Sequence, residues 1–263
     1  MSRSALACAA TLGAALIVTG CTLIDREVVR GSGELITEQY DLSGFDRVDA
    51  GRALEVRIRP GQEHAVSLTV DDNVVRYVTV TRRGTRLDLD VDDRVDLRDA
   101  THLVEITMPA LRRLALHGAA SGDLAGFEGQ QRLDLELSGA SRLDCTGIEA
   151  DVLVLELSGA STTSCAEVQT DDLKVRLSGA SVATLDGDAS DGRVHASGAS
   201  SADLGDLVVT DADVRLSGAS NAEVSVSEHL DANLSGLSRL RYAGDPDLGS
   251  VKTSGGSSVE PMG

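Results

Sequence analysis

A short element, Leu-Ser-Gly-Ala-Ser and its close variants, recurs through the second half of the chain at an almost constant interval. Its glycine occurs eight times: Gly118, Gly139, Gly159, Gly179, Gly198, Gly218, Gly236 and Gly255. So regular a period is typical of a solenoid, in which each unit buries its apolar face only against its neighbours. The repeat therefore predicts a stack of units of about 20 residues each.

Apolar and polar residues alternate around each glycine. In the third copy, Leu155 and Leu157 flank Glu156, and the corresponding positions of most other copies follow the same pattern. Alternation with a period of two predicts strands that bury one face, and the Gly-Ala step predicts a bend between two strands of each coil. Helical spacing is absent, which argues against leucine-rich and helical repeats. The expected fold is all-β, a right-handed parallel β-helix over residues 111–263.

The core of such a coil must be narrow, because aromatic residues make up 2% of the chain and Trp is absent. The serine before each glycine, such as Ser158, invites interpretation as a hydroxyl row for a ligand or for ice. A structural role is favoured, since serine at a tight bend bonds nearby backbone.

The region before the repeat, residues 44–110, alternates without the period of the later copies. Short apolar runs at Leu54–Ile58, Val66–Val70 and Leu87–Val91 are separated by turn-like stretches. We expect antiparallel strands or hairpins that cap the first coil and cover its strand edges. The C-terminal end has no equivalent, so its open coil is expected to be shielded by a polar tail or by another subunit.

The N-terminus has the features of an export signal. Arg3 precedes an apolar run, Ala5–Val18, which is shorter than the roughly 20 residues that a membrane span needs. The stretch Ile17–Cys21 resembles a bacterial lipobox, which predicts a signal peptide over residues 1–20, a lipid on Cys21 and a polar tether within residues 21–43. Ordinary signal cleavage beside an incidental cysteine is the alternative.

Three further stretches carry a family resemblance. The run Phe45-Asp-Arg-Val-Asp-Ala-Gly51, the serial Ser-Gly-Ala-Ser elements and Leu240–Pro246 resemble the putative auto-transporter adhesin, head GIN domain family, formerly a domain of unknown function. The likeness extends from about Phe45 to Pro261. The usual Ser-Gly-Ser-Gly of the family is Ser-Gly-Ala-Ser in this chain. The resemblance implies a secreted or envelope β-helix and brings no established activity with it.

Residues that could carry catalysis or bind metal show no convincing pattern. The five histidines have no metal-ligand spacing and are expected at the surface: His64, His102, His117, His195 and His229. Acidic residues recur five positions after the glycine, at Asp123, Asp144, Asp203 and Glu223. They could form a calcium site or a glycosidase-like carboxylate pair, but a solvated acidic face is favoured. No catalytic residue, metal ligand or cofactor is predicted.

Cys145 and Cys165 are the cysteines that remain after signal removal and lipidation. Both lie six positions after a glycine, so they are expected in contact on successive coils, facing inward. Export into an oxidising compartment favours a disulfide, whereas close packing favours two buried thiols. The sequence leaves both states open.

Charge limits the possible partners. A net charge of −18 repels nucleic acid, which is not expected as a partner. The first functional hypothesis is a non-enzymatic, lipid-anchored protein of the outer membrane or cell surface that acts in adhesion or envelope structure. The alternative is a carbohydrate-active β-helix enzyme or polysaccharide-binding protein using outward carboxylates. Expected partners are the membrane through the lipid, an envelope protein or polysaccharide, and a second copy through the open coil.

Overall fold

The computed structural model describes residues 26–262, which form twenty β-strands and one 3-10 turn, Val75–Tyr77. The strands that precede the repeat are β1 Glu27–Arg30, β2 Leu35–Tyr40, β3 Arg47–Ala50, β4 Glu55–Pro60, β5 Ala65–Asp71, β6 Val78–Arg83, β7 Arg86–Val91, β8 Val95–Arg98 and β9 His102–Met108. Those of the repeat are β10 Arg113–Leu116, β11 Ser121–Ala125, β12 Gln130–Leu137, β13 Arg142–Leu157, β14 Thr162–Leu177, β15 Val182–Ala196, β16 Ser201–Leu216, β17 Asn221–Leu234, β18 Arg239–Ala243, β19 Asp247–Thr253 and β20 Ser258–Pro261.

The repeat folds as a β-solenoid of about 7 turns with about 20 residues per turn, which confirms the predicted class. Strands of successive turns pair in parallel, and equivalent repeat positions face one another. Leu135 pairs with Leu155, which pairs with Val175. Each long strand, such as β13, passes around a corner of the turn, so its two halves lie on different faces of the solenoid.

The alternation in the sequence separates buried from solvent-facing side chains. Leu155 and Leu157 are buried, at 0% and 2% exposure, while Glu156 between them reaches solvent. Inward residues of one turn stack on those of the next and form one continuous hydrophobic core. Because each apolar side chain contributes about 1.5 to 3 kcal/mol when fully buried, the stacked turns stabilise one another.

The N-terminal region contains the expected antiparallel pairs together with solenoid strands. Strand β2 pairs antiparallel with β5, β5 with β9, and β6 with β7. Strands β3 and β4 instead pair in parallel, with β7 and β9 on one side and with β10 and β11 on the other. In space, the turn formed by β7 and β9 therefore precedes the turn formed by β3 and β4, although it follows in sequence. Because the order of the turns in space differs from their order in sequence, residues 44–110 do not show the period of the later turns.

The stretch expected to contain a polar tether, residues 21–43, is partly folded. Strand β1 pairs in parallel with β8, and β2 pairs antiparallel with β5. The reason is local: Val29 is buried at 8% exposure, and the side-chain amide of Asn73 donates to the carbonyl oxygen of Arg30 at 2.8 Å. Residues 1–25 lie outside the described part.

The C-terminal turn leaves inward positions uncovered. Every residue of β19 is exposed, including Leu248 at 44% and Val251 at 40%, although the equivalent residues of β17, Leu230 and Ala232, are buried. Among residues 26–262, no further strand covers this end of the stack.

The inward and outward assignment predicts opposite effects for neighbouring substitutions. Leu155→Asp places an uncompensated carboxylate between two turns and should lower the free energy of unfolding by at least about 3 kcal/mol. The matched control Glu156→Gln removes only a surface ion pair with Arg176 and should cost less than about 1 kcal/mol. Urea unfolding followed by circular dichroism measures both, and equal losses would contradict the assignment.

Candidate functional site

A groove of about 680 Å³ runs along the solenoid beside the glycine bend. It crosses seven turns, from His117 to Ser235, and therefore extends about 30 Å at the strand spacing of about 4.8 Å. Two columns of side chains form its polar lining: the residue three positions before each glycine, and the serine immediately before it. The first column in the groove is Glu136, Glu156, Arg176, His195, Arg215 and Asn233, and the second is Ser138, Ser158, Ser178, Ser197, Ser217 and Ser235.

Charge changes sign along the groove. Its N-terminal half carries Glu136 and Glu156, whereas its C-terminal half carries Arg176 and Arg215 on either side of His195. Arg176 contacts Glu156 across the boundary at 2.6 Å. Charged or polar side chains thus occur at every turn of the groove, acidic in one half and basic in the other, and an apolar column lies between the two polar columns: Leu137, Leu157, Leu177, Ala196 and Leu216.

Burial lowers the pKa of His195 from its ordinary value of 6.5, and the neighbouring guanidinium of Arg215 contributes in the same direction. Arg176 adds a smaller lowering effect, which the carboxylate of Asp213 opposes. The imidazole is therefore neutral at neutral pH and can accept a proton when more negative charge approaches it.

The serines that stabilise the bend are those two positions after the glycine, a role that the sequence analysis did not assign. Their hydroxyls donate to the carbonyl oxygen three residues earlier at 2.7 to 3.0 Å: Ser141, Ser161, Ser181, Ser200, Ser220 and Ser257. All but Ser257, in the last turn, are buried. The hydroxyls of the groove serines Ser178 and Ser197 make only long contacts of 3.4 Å with backbone carbonyls. Both rows of serines recur with the period of the repeat, so the sequence does not show which row bonds the backbone. The direction of the side chains in the structure does.

The acidic column lies on a different face, where arginines neutralise most of it. The ion pairs are Arg59–Asp123 at 2.8 Å, Arg142–Asp144 at 3.0 Å and Arg241–Glu223 at 2.6 Å. Asp123 and Asp144 are direct neighbours in the register, as are Asp203 and Glu223. Among residues 26–262, no group of three or more His, Cys, Asp or Glu side chains is placed to hold a metal ion.

The histidines do not converge on one site. His64 contacts the carbonyl oxygen of Phe45 at 2.8 Å, and His102 contacts that of Ala100 at 2.9 Å. His117 lies at the N-terminal end of the groove, 2.9 Å from the hydroxyl of Ser138 and 3.1 Å from Asp49. His229 lies 3.7 Å from Asp231. Of the five, His117 and His195 line the groove.

Cys145 and Cys165 face each other on neighbouring turns. Their Cα atoms are 4.4 Å apart, both side chains are buried, and the structure joins them by a disulfide. Cys21, the predicted lipid attachment site, lies outside the described residues. Within residues 26–262, no helix is long and apolar enough to cross a membrane.

Comparison with known families gives one match. The model of the family described as putative auto-transporter adhesin, head GIN domain, matches residues 44–246. This agrees with the resemblance seen in the repeat and in the runs that begin at Phe45 and Leu240. No curated protein matches the chain at a significant level.

Solved structures with the same fold include three from Parabacteroides. A putative lipid binding protein from Parabacteroides distasonis aligns with a TM-score of 0.80 at 17% identity, and a putative adhesin from Parabacteroides merdae with 0.80 at 18%. A second Parabacteroides distasonis protein, also a putative adhesin, aligns with 0.78 at 20%. Each alignment covers 90% of this chain and 100% of the other. At these identities the likeness shows the fold.

The disulfide can be tested by counting the reactive thiols of the denatured protein. In Cys21→Ser protein that lacks residues 1–20 and is prepared under oxidising conditions, Cys145 and Cys165 are the remaining cysteines, so denaturation without reductant should expose no reactive thiol, and reduction should expose two. Loss of the bridge should lower stability by about 3 kcal/mol, the value for a loop of this size. The double variant Cys145→Ala/Cys165→Ala, which should show none in either state, is the control. Two thiols before reduction would exclude the bridge.

Proposed function

We propose that this protein, which belongs to the head GIN domain family, is an exported, lipid-anchored protein of the cell envelope that binds its ligands along the solenoid surface without catalysing a reaction. The membrane attachment is inferred from the lipobox-like stretch that ends at Cys21. The net charge of −18 disfavours nucleic acid as a ligand. An envelope polysaccharide or an envelope protein is the proposed partner class.

The proposal rests on one observation: successive turns stay in regular register, and one long groove runs along them. The nearly even spacing of the repeat glycines, from Gly118 to Gly255, leaves no room for the long loops that would build a closed catalytic cleft over one face. The register shifts are local, such as that between Cys165 and Val168. The resulting surface is extended and open, which suits recognition of an extended ligand.

The enzyme alternative depends on the neighbouring carboxylates of the acidic column. Asp123 and Asp144 are adjacent across one turn, but each is paired with an arginine at the surface. A glycosidase needs two carboxyl groups that both face the scissile bond, whereas the carboxylates of Asp123 and Asp144 are each directed to an arginine. This arrangement supports a solvated acidic face more than a catalytic pair.

The proposed lipid on Cys21 allows a direct test of the proposed location in the cell envelope. Several acyl chains, at about 0.8 kcal/mol per buried CH₂, give stable membrane attachment. Cys21→Ser should therefore abolish incorporation of a clickable fatty acid and shift the protein from the membrane fraction to the soluble or secreted fraction. The control Cys145→Ser should keep both label and membrane location. Equal labelling of wild type and Cys21→Ser would contradict the proposal.

A further inference from the structure

Cationic side chains concentrate in the C-terminal half of the groove and on the strand surface beside it. In a chain of net charge −18, three neighbouring turns carry five groups that are or can become cationic: Lys174, Arg176, Arg193, His195 and Arg215. Their carboxylate partners are fewer. Glu156 pairs with Arg176 at 2.6 Å, Asp172 with Arg193 at 2.9 Å and also with Lys174, and Asp213 with Arg215 at 2.7 Å. Four permanent cations are thus ion-paired with three carboxylates, and two further carboxylates, Asp191 and Asp211, lie in register with Asp172 on the same strand surface. The groove column itself holds only Arg176, His195 and Arg215 on these three turns, so protonation of His195 would add positive charge there.

The register aligns the three groove members of this cluster. Arg176 pairs with His195, and His195 pairs with Arg215. The two arginines are therefore attached two turns apart, about 10 Å along the solenoid, with the imidazole between them. One ring nitrogen of His195 lies 3.5 Å from a guanidinium nitrogen of Arg215. A guanidinium presents five N–H donors, so each arginine retains donors beyond those used by its carboxylate partner.

Serine hydroxyls lie beside these cations. Ser178, Ser197 and Ser217 line the groove on the same three turns. The contacts of Ser178 and Ser197 with backbone oxygens are 3.4 Å long, near the limit of a hydrogen bond. These hydroxyls can therefore turn toward a ligand at little cost.

We propose that Arg176, His195 and Arg215, together with Ser197, form a binding site for an oxyanion, the carboxylate or sulfate group of an acidic polysaccharide that lies in the C-terminal half of the groove. This inference rests on the proposed role of the groove in ligand binding and names the ligand class. Arginine forks match the planar geometry of a carboxylate and the oxygens of a sulfate. Serine hydroxyls supply donors to the same group. At physiological ionic strength the Debye length is about 8 Å, so Arg176 and Arg215 act on a bound group more strongly than the acidic side chains on other faces do. Of the carboxylates nearby, Glu156 and Asp213 are the ion-pair partners of these two arginines.

Binding at this site is coupled to pH. In the free protein His195 is neutral, because burial and the flanking guanidiniums of Arg215 and Arg176 disfavour its charged form and the carboxylate of Asp213 only partly offsets them. A bound anion favours the imidazolium, so binding takes up a proton. Affinity should therefore rise as the pH falls through and below the ordinary histidine value of 6.5.

The test uses lipid-free Cys21→Ser protein, with inorganic sulfate as the first probe and calorimetry or histidine NMR as the readout. Wild type should bind sulfate saturably, and Arg176→Gln/Arg215→Gln should weaken that binding at least tenfold. The matched control is Arg241→Gln, which breaks a similar inter-turn pair with Glu223 at 2.6 Å on a different face and should bind as wild type does. In His195→Gln the increase in affinity between pH 7.5 and pH 5.5 should disappear.

Polymers distinguish a site for free ions from a site for glycans. Polygalacturonate and dextran sulfate should bind more tightly than sulfate alone, and neutral dextran should not bind. Absence of saturable sulfate binding, equal binding by Arg176→Gln/Arg215→Gln and Arg241→Gln, or equal binding of charged and neutral dextran would overturn the inference. If one of these results occurred while acylation and membrane location of the protein were normal, the proposed anchoring would stand and only the anion site would be excluded. The two proposals can therefore fail separately.

Discussion

The contact on which the structure depends is the stacking of one glycine on another at every bend. From Gly139 onward, each repeat glycine has a positive φ, and a Cβ on it would meet the carbonyl oxygen of the glycine one turn earlier. The residue after each glycine donates its N–H to that same oxygen, for example from Ala160 to Gly139 at 2.7 Å and from Ala180 to Gly159 at 2.7 Å. Only glycine combines this backbone conformation with so close an approach.

The glycine ladder sets the position of the other columns. Since each bend is fixed relative to the one before it, residues at equal distances from the glycine meet across turns: leucine on leucine, buried serine near buried serine, and Cys145 on Cys165. Inward columns must then fit the core. Outward columns have no such restriction, so the charges of the groove can change from Glu156 to Arg176 without disturbing the fold. Along each strand, the inward residues stabilise the fold, and the outward residues that alternate with them are available to bind a ligand.

Much of the fold was predictable because the repeat is local in sequence. The period indicated the turns, and the alternation indicated the inward faces around residues such as Leu155. Strands β3 and β4 were not recognised as a solenoid turn, because β7 and β9 stack beside them from later in the sequence. Strand β1 was not predicted either, since so short a strand with one buried residue, Val29, carries little pattern.

The candidate site was less predictable for a physical reason. Arg176, His195 and Arg215 belong to three different copies of the repeat and come together only through the register. The net charge of −18 indicated an acidic protein and did not show the cluster, because a net charge averages over all faces. Aligning the repeats and reading the charge down each outward column was the signal that could have found the cluster.

Substitution within the glycine ladder tests this account most directly. Gly179 has a φ of +78°, and a Cβ there would lie 2.5 Å from the carbonyl oxygen of Gly159, whereas a Cβ on Gly205 would meet nothing closer than 3.7 Å. The account predicts that Gly179→Ala lowers the free energy of unfolding by more than the roughly 1 to 2 kcal/mol cost of left-handed backbone alone, while Gly205→Ala changes it by about 0.5 kcal/mol or less. Equal stability of the two variants in urea unfolding would contradict it.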